Sequence, residues 1–352
     1  MRPGGEVRVS VDVARCFCTD ALRRVGLSSE NAEVVAECLI EADLRGIIHH
    51  GLARMPNYVR RFQRGGFNTQ PDIRVLQDMP AAALLDGDRA PGELAGTRTM
   101  AAAIAKARTQ GVGIALVRNS GAFGSMGCFP IMALREDMIG IATVSTIPIL
   151  ASPGASQPTI GNSPLAIGIP AGKERPILFD MALSVVSIGK IRAARAEGEK
   201  IPLGWAVDKD GQPTDDPAAA IEGLLLPVAG YKGFGLAVAL GCITGVLSGG
   251  HFGTDVRGTL DPANPADVSL FCIAVNIASF MPIEEFKART DELVRQQRSA
   301  PLFPGGSPAR IPGESSWQAK DERLENGIPY GPALLAELRE LARDLGIAGL
   351  ER

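Results

Sequence analysis

Val112-Gly-Ile-Ala-Leu-Val117, Arg118-Asn-Ser-Gly-Ala-Phe-Gly-Ser-Met-Gly127 and Ile139-Gly-Ile-Ala-Thr-Val144 decide the fold class between them. The outer two are short apolar runs of the kind that form buried strands. The middle one is a loop of small residues, followed by a helix to about Arg135. Strand, loop, helix, strand is the logic of an α/β protein. The loop glycines, Gly121, Gly124 and Gly127, recur at every third position. A Rossmann turn needs Gly-x-Gly-x-x-Gly and an acidic residue about 20 positions later, and neither is evident. A standard Rossmann site is therefore not expected, although small residues still let a flat ring or a phosphate approach the backbone.

Upstream of this unit the chain reads as helical. Ser10 can cap a helix over Val11 to Val25, Ser28 or Ser29 the next, and a third runs from about Leu52 to Arg64, ending at Gly65-Gly66. Short strands are expected at Ile73 to Leu76 and Ala81 to Leu85, and Pro91 opens an Ala-rich helix. Downstream, Ile147 to Pro164 is a long loop with four prolines, a length that means function or disorder, and its apolar residues and Gly161-Asn-Ser-Pro164 favour function. Strands resume at Leu165 to Ile169 and Ile177 to Phe179, and a helix is expected from Ser184 to Arg195. A small-residue helix follows Pro227, a strand spans Val268 to Ile277, and a helix covers Pro282 to Arg295. Ala300 to Gly327 reads as loop, and Pro332 to Leu345 as the closing helix. Three regions result: helical 1–72, α/β 73–280 and helical 281–352, the last packing back on the first.

The 352 residues, 45% hydrophobic and 21% charged, suffice for a large core. A net charge of -3 without a dense basic block argues against a nucleic-acid or membrane partner. The 6 cysteines form no Cys-x-x-Cys and have no histidine at ligand spacing, so free thiols and no metal site are expected. The first residues, Met-Arg-Pro-Gly-Gly-Glu, lack an apolar signal core, and the cytoplasm is the default location.

Chemistry is concentrated in Glu41-Ala-Asp-Leu-Arg-Gly-Ile-Ile-His-His-Gly-Leu-Ala-Arg-Met-Pro-Asn-Tyr58. Two of the 3 histidines, His49 and His50, stand side by side there, and Arg54 and Tyr58 follow at helical spacing. An imidazole, a guanidinium fork and a phenol together suit a pocket that binds and protonates a small organic acid. A joint between two helices carrying surface cations would leave the same trace. Asp180, at a strand end, is well placed for a ligand in an α/β protein, or for capping the Ser184 helix. Lys232 opposes a helix dipole in Gly230-Tyr-Lys-Gly233, which suits an anionic partner or a solvated lysine equally. His251 reads as a surface residue.

Several segments, in order, resemble the type-2 malate/L-lactate dehydrogenase family, which includes ureidoglycolate and sulfolactate dehydrogenases and Δ1-piperideine-2-carboxylate reductases. They are Ala42 to Tyr58, Arg118-Asn-Ser120 with Phe123-Gly124, Gly161-Asn-Ser-Pro-Leu-Ala166, Phe179-Asp-Met-Ala182, Ile201-Pro-Leu-Gly-Trp-Ala-Val-Asp208, Tyr231-Lys-Gly-Phe-Gly-Leu236 and Pro312-Gly-Glu314. The resemblance implies a non-Rossmann, sulfolactate dehydrogenase-like α/β fold with a central mixed sheet, a homodimer, and hydride transfer between NADH or NADPH and the carbon beside a carboxylate. It implies cofactor contacts at Ser120, Thr146, Gly161, Asn162, Asp180, Met181, Ala182, Lys232, Gly313 and Glu314, and substrate contacts at His50, Arg54 and Tyr58.

Two positions depart from the family's pattern. His49 stands where a Ser or Thr is usual, and Ala122 stands where the loop usually has a histidine. That imidazole is the family's usual acid–base group for carbonyl chemistry. With Ala122 in its place, His50 and His49 are the expected catalytic pair, with Asp180 and Lys232 in support, and the pocket beside Ala122 is larger. A cyclic 2-imino acid, which can bind already protonated, is thereby favoured as substrate. A 2-hydroxy acid of the malate or lactate type is the alternative, and an inactive nucleotide-binding homologue the second.

Overall fold

A computed structural model describes residues 6–259 and 261–350. In chain order the elements begin with β1 (Val7–Val9), α1 (Val11–Arg24), α2 (Ser29–Leu44), α3 (Met55–Gln63), β2 (Arg74–Asp78), β3 (Ala82–Asp86), α4 (Gly92–Gln110), β4 (Val112–Ser120), α5 (Cys128–Leu134) and β5 (Met138–Val144). They continue with β6 (Leu165–Ile169), β7 (Ile177–Met181), α6 (Ile188–Glu197), β8 (Ala206–Val207), α7 (Pro217–Glu222), β9 (Leu224–Leu225), α8 (Tyr231–Gly241), β10 (Val268–Asn276), α9 (Ile283–Arg298), α10 (Glu314–Asn326), β11 (Ile328–Tyr330) and α11 (Pro332–Leu345).

The central sheet has seven strands in the order β2-β3-β4-β10-β5-β6-β7. Only β3 and β4 run parallel; every other neighbouring pair is antiparallel. This mixed order differs from the parallel, doubly wound sheet of a Rossmann domain. The short strands β1 and β11 pair with each other, tying the start of the chain to its last helices. One large apolar cluster contains Phe17, Leu39, Met55, Leu94, Phe129, Leu270 and Leu338. A smaller one, around Leu150, Leu183, Ile191, Leu225 and Leu240, packs against Leu165 and Met181 of β6 and β7. No helix among the described residues is long and apolar enough to cross a membrane.

The capping signals hold. Ser10 Oγ accepts from Val13 N at 3.3 Å, and Ser28 Oγ from Asn31 N at 3.2 Å. Gly111 ends α4 with φ +80°, in the left-handed region that glycine favours.

Other elements differ from expectation. The helix expected from Leu52 starts at Met55, after two 3-10 turns at Ile48–His50 and Leu52–Arg54. Gly51 separates those turns, with φ -101° and ψ -138°. The helix expected from Ser184 starts at Ile188, capped by Ser187 Oγ, which leaves Asp180 outside the cap. The segment from Ala300 to Gly327 is not all loop: α10 occupies half of it without burying one residue fully. Polar anchors hold α10 instead. Arg45 stacks 3.9 Å above the Trp317 ring, and Trp317 Nε1 donates to Pro176 O at 2.8 Å. Lys320 Nζ donates to both oxygens of Glu41, at 2.8 and 2.7 Å. With no apolar stripe, α10 left no periodic trace to read.

Candidate active site

The antiparallel arrangement brings the ends of β4, β5 and β7 and the starts of β6 and β10 to one margin of the sheet. The loops at that margin, together with the turns before α3, enclose a groove of about 440 Å³. His49, His50 and Arg54 line it from the turns, Ala122 from the loop after β4, and Thr146 from the loop after β5. Asn162 lines it ahead of β6, with Asp180, Met181 and Ala182 at the end of β7. A second groove of about 360 Å³ shares Ile47, Ser125 and Asp180 with the first and continues to Arg45, Arg310, Gly313 and Glu314. A larger cavity of about 970 Å³ lies between the 151–158 loop and residues 204–230, and neither imidazole nor guanidinium lines it. Convergent chemistry, not size, singles out the paired grooves.

The histidine turn is pinned from below. Buried Asp43, at the end of α2, accepts from Leu52 N at 2.9 Å and from Tyr330 Oη at 2.6 Å. A Cβ on Gly51 would lie 1.9 Å from Asp43 Oδ1, so only glycine fits. Burial raises the Asp43 carboxyl to about 6, against the lowering effect of those hydrogen bonds and of Arg323.

Arg54 ties the His49 backbone to the His50 ring. Its Nε donates to His49 O at 3.0 Å, and its Nη2 lies 3.0 Å from His50 Nδ1. A guanidinium only donates, so His50 Nδ1 is the acceptor and Nε2 carries the proton. Burial, the Arg54 charge and His49 push His50 down to about 3, so it is neutral at pH 7. Asp180 is exposed and lines both grooves, with the chain packed around its carboxyl. That desolvation raises its carboxyl to about 6, although Gly127 N donates to Oδ2 at 2.8 Å.

Not every expected residue reaches a groove. Tyr58 is fully buried, and its hydroxyl donates to Glu93 Oε1 at 2.7 Å, so it supports the wall and lies outside the lining expected to contact substrate. Ser120 is buried and donates to Val268 O at 3.0 Å. Gly161 is buried against Thr146 and leaves the lining to Asn162, whose Oδ1 accepts from Thr146 Oγ1 at 3.0 Å. Lys232 is exposed on the first turn of α8, outside both linings. His251 lies 3.3 Å from Asp267 and lines neither groove.

Sequence reasoning missed Asp43 and Glu93. Glu93 is 1% exposed, and its Oε2 has no hydrogen-bond partner. A Cβ on Gly124 would meet Glu93 Oε1 at 2.6 Å, so this carboxyl lies directly behind the Ala122 loop. In the sequence it looks like any acid in the first turn of a helix.

The paired grooves fit an extended dinucleotide. The N-terminus of α10 has no side-chain cap, and Ser315 and Ser316 of its first turn line the second groove with Arg45 and Arg310. The helix N-terminus and the exposed Arg310 guanidinium suit a diphosphate, with Arg45 held behind them by Glu41 at 2.7 Å. The first groove, with Thr146 and Asn162 opposite Asp180, has room for a nicotinamide ring beside a small acid.

A model of the malate/L-lactate dehydrogenase family matches residues 9–339. The chain is 38% identical to a malate dehydrogenase of Pyrococcus abyssi over 98% of its length and 97% of that protein's. It superposes on the sulfolactate dehydrogenase of Methanocaldococcus jannaschii with a TM-score of 0.92 and 36% identity, covering 98% of this chain and 99% of that one. The Δ1-piperideine-2-carboxylate reductase of Pseudomonas syringae pv. tomato superposes with a TM-score of 0.85 and 28% identity, covering 96% and 100%. The chain belongs to the malate/L-lactate dehydrogenase family and is an NAD(P)-dependent oxidoreductase with that family's fold throughout.

Proposed function

We propose that this protein moves hydride reversibly between NAD(H) and the carbon beside a carboxylate in a small 2-hydroxy or 2-oxo acid. The meeting of Arg54, His50 and Asp180 around one groove carries the reading. The bound nicotinamide supplies the hydride acceptor or donor. Arg54 turns its remaining N–H groups to the substrate carboxylate. His50, held as the Nε2–H tautomer by Arg54, donates a hydrogen bond to the reacting oxygen and stabilises the charge that grows there. Neutral His50 is a poor acid, so the proton role passes to Asp180. As a carboxylate it takes the hydroxyl proton during oxidation, and as an acid it returns it during reduction. An acid is thus available although the loop carries Ala122.

A specific observation favours a second reading. Ala122 leaves the groove wide where the family usually has an imidazole, and an Asp180 carboxylate would stabilise a bound iminium ion. Reduction of a cyclic 2-imino acid needs no proton donor at the hydride step. Absorbance at the NADH band, followed with pyruvate, oxaloacetate and a cyclic ketimine acid, and repeated with NADPH, separates the readings. Arg54→Ala should lower kcat/KM about 100-fold through loss of charge-assisted hydrogen bonds. Unchanged kcat/KM would exclude the carboxylate clamp.

The functional unit of this reading is a homodimer. Leu236, Val238, Val246 and Leu247, along α8 and its continuation through the π-helical stretch Cys242–Val246, are exposed, with Leu247 63% accessible. Apolar side chains grouped in this way on a surface suit a second copy of the chain.

A further inference from the structure

The charge inventory of the first groove says which acids it can hold. Among its described lining residues Arg54 is the sole guanidinium or ammonium, and Asp180 is the sole carboxyl. Arg54 has already committed Nε and one Nη2 contact to His49 and His50, so it can grip one carboxylate and no more. The rest of the lining mixes apolar Val144, Ile147, Met181 and Val268 with the neutral donors of Ser145, Thr146, Asn162, Ser187 and Thr259, and His49. Arg45 and Arg310 belong to the second groove, and Arg45 is bound by Glu41 at 2.7 Å. Lys232 is outside both linings.

Malate and sulfolactate each carry a second anionic group. Once Arg54 holds the carboxylate beside the reacting carbon, no guanidinium or ammonium of the lining is left for that second group, which meets the Asp180 carboxyl, an apolar wall or neutral donors. The first arrangement is like-charge repulsion, the second buries an unpaired charge, and the third holds the charge without a full counter-ion. An alkyl remainder meets none of these costs.

We propose that this protein selects monocarboxylates with an apolar or neutral remainder, Arg54 supplying the one anion site and Asp180 with the Ala122 wall rejecting a second anion. The inference rests on the hydride-transfer reading and specifies its substrate class. It separates this chain from relatives named for substrates with two anionic groups.

Two non-reactive acids test it by calorimetry on the protein saturated with NADH: oxamate, a monoanion, and tartronate, a dianion. Oxamate should bind at least about tenfold more tightly, because discrimination here comes from an unpaired or repelled charge. Asp180→Asn should shrink that ratio. Ala122→Lys, which adds a cation without touching Asp180, should shrink or invert it, so the result does not depend on one variant folding. Equal binding, or tighter tartronate binding, by the unaltered protein overturns charge selection and leaves the hydride-transfer reading standing. Binding of neither acid overturns both.

Discussion

At Asp180 one carboxyl group is shaped by opposite forces. Protein around the groove strips water from it and raises it, while the Gly127 amide holds it down, and the balance lies at about 6. The pH dependence follows from the direction. Oxidation of a hydroxy acid needs the carboxylate, so its rate should climb as pH rises through about 6 and then level. Reduction needs the acid, so its rate should fall over the same range. Asp180→Asn should flatten both limbs and lower kcat roughly 100-fold, the scale of a lost general acid or base; steady-state profiles in both directions check this. His50 cannot supply that limb, because burial and the Arg54 charge hold it down to about 3. At this scale the motif residues were legible by type. Tyr58 was not, because spacing puts it near Arg54 without saying that α4 covers its hydroxyl with Glu93.

Among the elements, the turn between α2 and α3 and the helix α10 matter most to the grooves. Gly51 has no space for a Cβ against Asp43, so Gly51→Ala should cost about 1–3 kcal/mol by overpacking and lower the thermal midpoint by a few degrees. Because the same glycine sets the histidine turn, affinity for the acid should fall as well. The N-terminus of α10 forms part of the second groove, and Trp317 fastens that helix to Arg45 and Pro176. Trp317→Ala should raise KM for NADH several-fold and leave KM for the acid nearly unchanged, as steady-state kinetics with each ligand varied would show. Helices with serine caps and apolar stripes, α1 and α2, were readable from the chain. By contrast α10 was not, since stacking and ion pairs with distant residues hold it, and those leave no local period.

For the whole molecule, the exposed apolar side chains of α8 lead to a test of assembly. Leu247→Lys should shift a dimer toward monomer by light scattering and lower activity, while far-ultraviolet circular dichroism stays the same. A protein that remains monomeric without the substitution would remove the dimer from the proposed function. The sequence by itself determined the α/β class, the helical ends, the motif set and the family, because these depend on short-range periodicity and on residues adjacent in the chain. Only the tertiary structure decided that Tyr58 is walled off and Lys232 lies outside the grooves. It also decided that Asp180 is a raised acid on the groove and that Arg54 is the groove's sole guanidinium or ammonium among the described residues. Burial and charge pairing arise between segments far apart in the chain, and the electrostatics of a site exist only once those segments have met.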